Sequence, residues 1–75
     1  MSDRRAVHTV PHRGGWANLR EGAARVAKQF RTKADARAAG ARTARRTRVE
    51  HLIHKANGRI GQRTSYGRDP YPPRG

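Results

Sequence analysis

One stretch limits the fold more than any other: KADARAAGARTARRT, residues 33–47. Thr32 precedes it as an N-cap, and Asp35 follows where a capping box expects an acidic or amide side chain, so a helix is predicted from Lys33 to about Thr47. Ala36, Ala39, Gly40, Thr43 and Thr47 fall on one stripe at i, i+3, i+4, i+7 spacing. That stripe has neither charge nor bulk. It lets the helix approach another layer closely, but at roughly 25 cal/mol per Å² of apolar surface it stabilises far less than a leucine stripe would. Gly40 costs about 1 kcal/mol more in helix propensity. The rest of the helix surface carries Lys33, Arg37, Arg42, Arg45 and Arg46, with Arg48 at its end.

Elements on either side must therefore supply the core. They offer few large apolar residues: Val7, Val10, Trp16, Leu19, Val26, Phe30, Val49, Leu52, Ile53 and Ile60, with Tyr66. A chain of 75 residues with 33% hydrophobic content forms one small domain of marginal stability.

Residues 1–5 read as a loose basic arm. Ala6–His12 carries the β-branched Val7, Thr9 and Val10 and is predicted to be a strand, with Pro11 placing it at an edge or near its end. Arg13-Gly14-Gly15 is a turn and Trp16–Glu21 the returning strand. Arg25–Phe30 reads as a short third strand. Val49–His54 and Arg59–Tyr66 form a second hairpin around Asn57-Gly58, with Ile60, Gln62, Thr64 and Tyr66 on one face. The order β-β-(β)-α-β-β predicts an α+β domain over residues 6–66: one helix on a small antiparallel sheet, followed by an extended Pro-rich tail over residues 67–75.

Charge narrows the function. Eighteen Lys and Arg face five Asp and Glu, a net charge of +13. Such a chain seeks a polyanion, and arginine forks onto phosphate and stacks on bases better than lysine does. The candidate phosphate contacts are Arg4, Arg5, Arg13, Lys33, Arg37, Arg42, Arg45, Arg46, Arg48, Arg59, Arg63, Arg68 and Arg74. Trp16, Tyr66 and Tyr71 are candidate stacking platforms. Each has a plainer reading. Charge runs are usually solvated helix faces, Trp16 suits a hairpin anchor, and Tyr71 suits a tail folded over the sheet.

Other classes fare worse. With no cysteine, thiolate metal sites and disulfides are excluded. His8 and His12 share a strand face while His51 and His54 do not, so no converging metal set is expected. No paired carboxylates, nucleophile elbow or phosphate-cradling glycine loop is present, and the protein is expected to be no enzyme and to need no cofactor. No apolar run approaches the roughly 18 residues of a membrane span, and no signal peptide follows Met1, so the cytoplasm is the expected setting.

The run from Val10-Pro11-His12 through Gly14-Gly15-Trp16, Glu21-Gly22 and Phe30 to Thr32-Lys33 continues with Ile53-His54 and Asn57-Gly58-Arg59-Ile60. It closes with Ser65-Tyr66-Gly67, Asp69-Pro70 and Pro72-Pro73. This resembles a family of small bacterial proteins known as a domain of unknown function (family twenty-one eighty-eight), over nearly the whole chain from Val7. The helix departs from that pattern, with Ala, Gly and Arg where large apolar and acidic residues stand. The resemblance implies the fold and a bacterial, cytoplasmic setting. It implies no activity.

Two expectations follow. The first is a non-enzymatic protein that binds phosphate backbone with little sequence preference, RNA (ribosome-associated RNA included) ahead of DNA. The second is a protein-interaction module using a sheet edge and the tail, where Pro70–Pro73 formally matches PxxP.

Overall fold

A computed structural model describes residues 4–66. Strand β1 spans Val7–His12, β2 Gly15–Arg20 and β3 Lys28–Phe30; helix α1 spans Lys33–Thr47, β4 Glu50–His54 and β5 Ile60–Ser65. Each predicted element is present, in the predicted order. The tail and its residues Arg68, Tyr71 and Arg74 lie outside the described residues.

The sheet corrects one expectation. Its strand order is β3-β2-β1-β4-β5, and it is mixed rather than antiparallel, because β1 and β4 run parallel with Val7 beside His51 and Thr9 beside Ile53. The reason is a count of reversals. Hairpin-like reversals separate β1 from β2 and β2 from β3, so β3 runs with β1. The chain then reverses twice more, once into the helix and once out of it, so β4 also runs with β1 and fits beside it. β1 is thus the central strand and not an edge. Pro11 is tolerated there because the β1–β4 pairs stop at Thr9, leaving no β4 partner at Pro11 to want the missing N–H.

Local chemistry sets the turns. Arg13 and Gly14 both have positive φ (45° and 79°), as a two-residue type I′ hairpin turn requires. Asn57 accepts the Arg59 N–H on its side-chain oxygen at 2.9 Å, and Gly58 takes φ 89°. The second hairpin is not a two-residue Asn-Gly turn. His54 pairs with Ile60 but Ile53 pairs with Gln62, so Gly61 is an extra residue in β5. This bulge overturns the expected single face for β5. Gln62, Thr64 and Tyr66 stay on the helix side, whereas Ile60 turns to the other side and is 47% exposed.

Thr32 caps α1, accepting the Asp35 N–H at 3.1 Å, and Arg48 ends it in the left-handed region at φ 57°. The buried side of α1 is Ala36, Gly40 and Ala44. It rests on β1, β2, β3 and β4 and leaves the inner face of β5 uncovered. The apolar core is small, with Val7, Ala44 and Val49 packed together beneath Tyr66, and Leu52 and Ile53 buried in β4.

Candidate nucleic-acid interface

The space beside β5 is a groove. Its lower part, about 480 Å³, is lined by Lys33, Ala34 and Arg37 from α1, Ile53 from β4, and Lys55, Gly61 and Gln62 from the second hairpin. Its upper part, about 300 Å³, shares Ala34, Arg37 and Ile53 and runs on to Ala38, Ala41, His51, Thr64 and Tyr66. Alanines on this flank of α1 hold the wall low, which leaves the long Arg37 side chain as its main feature. Gly61 matters on the opposite wall: a Cβ there would stand 2.9 Å from Lys55 Cγ, so its absence lets the lysine lie across the strand.

Both described aromatic candidates are only half-buried, and a cation sits over each ring. Lys33 Nζ lies 5.0 Å from the Trp16 ring centroid, and the Arg45 guanidinium lies 5.6 Å from that of Tyr66. Trp16 sits on the helix face opposite Pro11 and Phe30, which is the hairpin-anchor position. Tyr66 packs on Val7, Ala44 and Val49 and closes the end of the groove.

The arginine candidates divide into groups. Arg37, Arg42, Arg45 and Arg46 are exposed along α1, and Arg48 is exposed at its end. Among the described residues none of these, and not Lys33, is in an ion pair. Arg13 and Arg59 project from the two hairpin turns, at a distance along the chain from the helix group. Arg4 and Arg5 are exposed beside β2, where Arg20 donates to the Arg5 carbonyl at 2.7 Å. Arg63 pairs with Leu52, which pairs with His8, so it stands on the face away from the helix and does not join the groove. Lys55, Gln62 and Thr64 line the groove although sequence reading passed over them. The Asn-Gly turn placed Lys55 in a loop, and only the bulge brings it over β5.

Beneath the groove lies a buried polar network. Thr9 donates its hydroxyl to Asn18 Oδ1 (2.5 Å), and the same oxygen contacts His51 Nε2 at 2.7 Å. Since the hydroxyl hydrogen is committed to Asn18, His51 donates from Nε2–H and is the Nε2 tautomer. Asn18 in turn donates to the Ala36 carbonyl at 2.9 Å, tying the sheet to the helix. Gly40 sits directly above. A Cβ there would be 2.6 Å from His51 Nε2 and 2.9 Å from both Asn18 Oδ1 and Thr9 Oγ1. Burial, then the charges of Arg37 and His8, push the His51 pKa below its ordinary 6.5, so the ring is neutral in this fold.

The sequence pattern of a bacterial family described as an uncharacterized protein conserved in bacteria, the domain-of-unknown-function family twenty-one eighty-eight, matches residues 7–66. The chain belongs to this family. The match begins at the first residue of β1 and ends at Tyr66, so it spans the five strands and the helix of this chain. No curated protein and no solved structure matches the chain. No helix among the described residues is long and apolar enough to cross a membrane.

Proposed function

We propose that this is a non-enzymatic nucleic-acid-binding protein of the bacterial cytoplasm that holds phosphate backbone along α1 and the α1–β5 groove. One observation carries the reading: the basic side chains of α1 face solvent with no ion pair among the described residues, on a chain of net charge +13. A helix surface of like charge is mildly self-repelling and gains from a polyanion that neutralises it. Lys33, Arg37, Lys55 and Arg45 edge the groove, while Gln62 and Thr64 give its floor neutral hydrogen-bonding groups. Affinity comes mainly from counterion release, hence with little sequence preference. RNA, ribosomal RNA included, is preferred over DNA because short arginine-rich proteins suit folded RNA surfaces.

A salt titration tests this. With six or more phosphates engaged, raising salt from about 50 to 200 mM weakens binding roughly 10³- to 10⁵-fold. Reversing Lys33, Arg37 and Lys55 to Glu lowers the salt slope, by about 0.7 for each phosphate no longer neutralised on a single strand. An unchanged affinity across that salt range sinks the proposal.

A protein partner that adds a strand to β5 is the alternative, since β5 is an edge strand exposed along most of its length. The bulge at Gly61 and the charge of Arg63 work against such an addition. A partner retained after nuclease treatment of a native pull-down favours the alternative.

A further inference from the structure

On the sheet face away from the helix, four groups form one hydrogen-bonded chain. Glu21 Oε1 lies 2.5 Å from His8 Nε2, His8 Nδ1 lies 2.8 Å from His54 Nε2, and His54 Nδ1 lies 2.7 Å from the Gly58 carbonyl oxygen. All four ring nitrogens are used. A carbonyl only accepts, so His54 donates from Nδ1. A carboxylate only accepts, so His8 donates from Nε2. The two nitrogens left then face each other, and between them there must be one more hydrogen. Two neutral imidazoles carry two ring hydrogens, and the chain needs three. Taken with Glu21, the cluster holds one proton beyond the carboxylate-plus-neutral-imidazoles state, and its net charge is zero wherever along the chain that proton sits.

We propose that Glu21, His8 and His54 are a proton-held clamp that fixes the β4–β5 hairpin to the central strand, and that loss of the proton releases it. Without the third hydrogen, two lone pairs oppose each other at 2.8 Å and one link must open. The Gly58 end of the chain lies in the hairpin turn that also carries Lys55, one wall of the groove. The clamp is half open to water, with His8 side-chain exposure at 17% and Glu21 at 60%, so protons can exchange with solvent. The other titratable or charged groups placed on this face by register are His12, farther along β1, Arg63, beside Leu52 on β5, and Glu50, beside Ser65; His51 senses His8 from the opposite face. Histidine is the side chain suited to such a switch between about pH 5 and 8. Release of the hairpin is a property of the protein alone; its effect on nucleic acid rests on the reading above.

The test uses the full-length protein labelled with ¹⁵N at histidine, without nucleic acid. On the acid side, His8 Nε2 and His54 Nδ1 are both protonated, a scalar coupling crosses the His8–His54 hydrogen bond, and the two rings lose their shared proton in one step. His8→Leu then removes His54 from the shared step, because a charge-assisted hydrogen bond is gone. Glu21→Gln, at an exposed position, moves the shared step to lower pH. Amide exchange at Lys55 and Gly58, corrected for intrinsic rates, quickens as pH rises through that step. Independent titration of the two rings, with the His54 curve unmoved by His8→Leu, overturns the proposal. Should the clamp hold while the groove proves indifferent to nucleic acid, only the functional reading falls.

Discussion

The two faces of the sheet each hold a histidine network, and they bind protons in opposite senses. Under the helix, Thr9, Asn18 and His51 are buried, and the Thr9 hydroxyl, Asn18 Oδ1 and His51 Nε2 satisfy one another with His51 neutral. On the other face, Glu21, His8 and His54 are partly open and the chain is complete only with an added proton. The lesson concerns cost. A polar group in a dry layer is tolerated when its bonds close without charge, because burying an unpaired charge is expensive. A charge is tolerable where water reaches it.

The largest expected effect comes from jamming the dry face. Gly40→Val places a side chain into His51, Asn18 and Thr9 at once. Overpacking costs about 1–3 kcal/mol, and broken buried hydrogen bonds add about 1–3 kcal/mol. Urea unfolding should show a loss of about 3 kcal/mol or more, against a domain with little stability to spare. Next, Thr9→Val keeps the shape but strands the His51 Nε2–H and Asn18 Oδ1, and the same measurement should show a loss of about 1–3 kcal/mol. A neutral Thr9→Val would mean that water or a rotamer change satisfies this face, and the contrast between the faces would weaken.

The pH dependence comes third, and its sign separates the faces. The fold holds His51 neutral and its pKa lowered, so below pH 6.5 the unfolded chain binds more protons and stability falls as pH falls. The proposed clamp has the opposite requirement, since its hydrogen-bonded chain closes only with an added proton. Thermal melts of Glu21→Gln between pH 5 and 8 should therefore fall more steeply toward acid than those of the parent protein, because the amide lets the chain close without the added proton while His8 still acts on His51. Equal slopes would remove the opposition.

The smallest effect is at Arg48, where the helix ends in the left-handed region at φ 57°. That conformation costs a side-chain-bearing residue about 1–2 kcal/mol, partly offset by the entropy of a glycine. Arg48→Gly should raise the melting midpoint slightly while lowering the salt slope of nucleic-acid binding, which sets helix stability against helix charge.

Much of this was legible in advance where the information is local. The period of the helix, the Thr32 cap, the Gly14 turn and the Asn57-Gly58 turn all act over a few residues, and they put each element in its place. Gly40, poor in a helix, looked like a local cost, and Asn18 is a residue that strands disfavour. Together they are one contact, in which the missing Cβ leaves room for the Thr9–Asn18–His51 junction. Sequence reading treated Gly40 as a cost because its partner lay 22 residues away on another element. The bulge at Gly61 was equally hidden, since one added residue reverses every later side chain while leaving the composition of the strand unchanged.

The amino-acid sequence alone therefore determined the elements, their order, the small-residue stripe of the helix and the net charge of +13. Only tertiary structure decided that β4 lies parallel beside β1, and most of what is distinctive depends on that pairing. It brings His51 to Thr9 on one face and His54 to His8 on the other. These partners are 42 and 46 residues apart, and no periodicity in the chain encodes a register between strands that far separated. The register is settled by which side chains can be buried together beneath the helix, a property of the assembled layers.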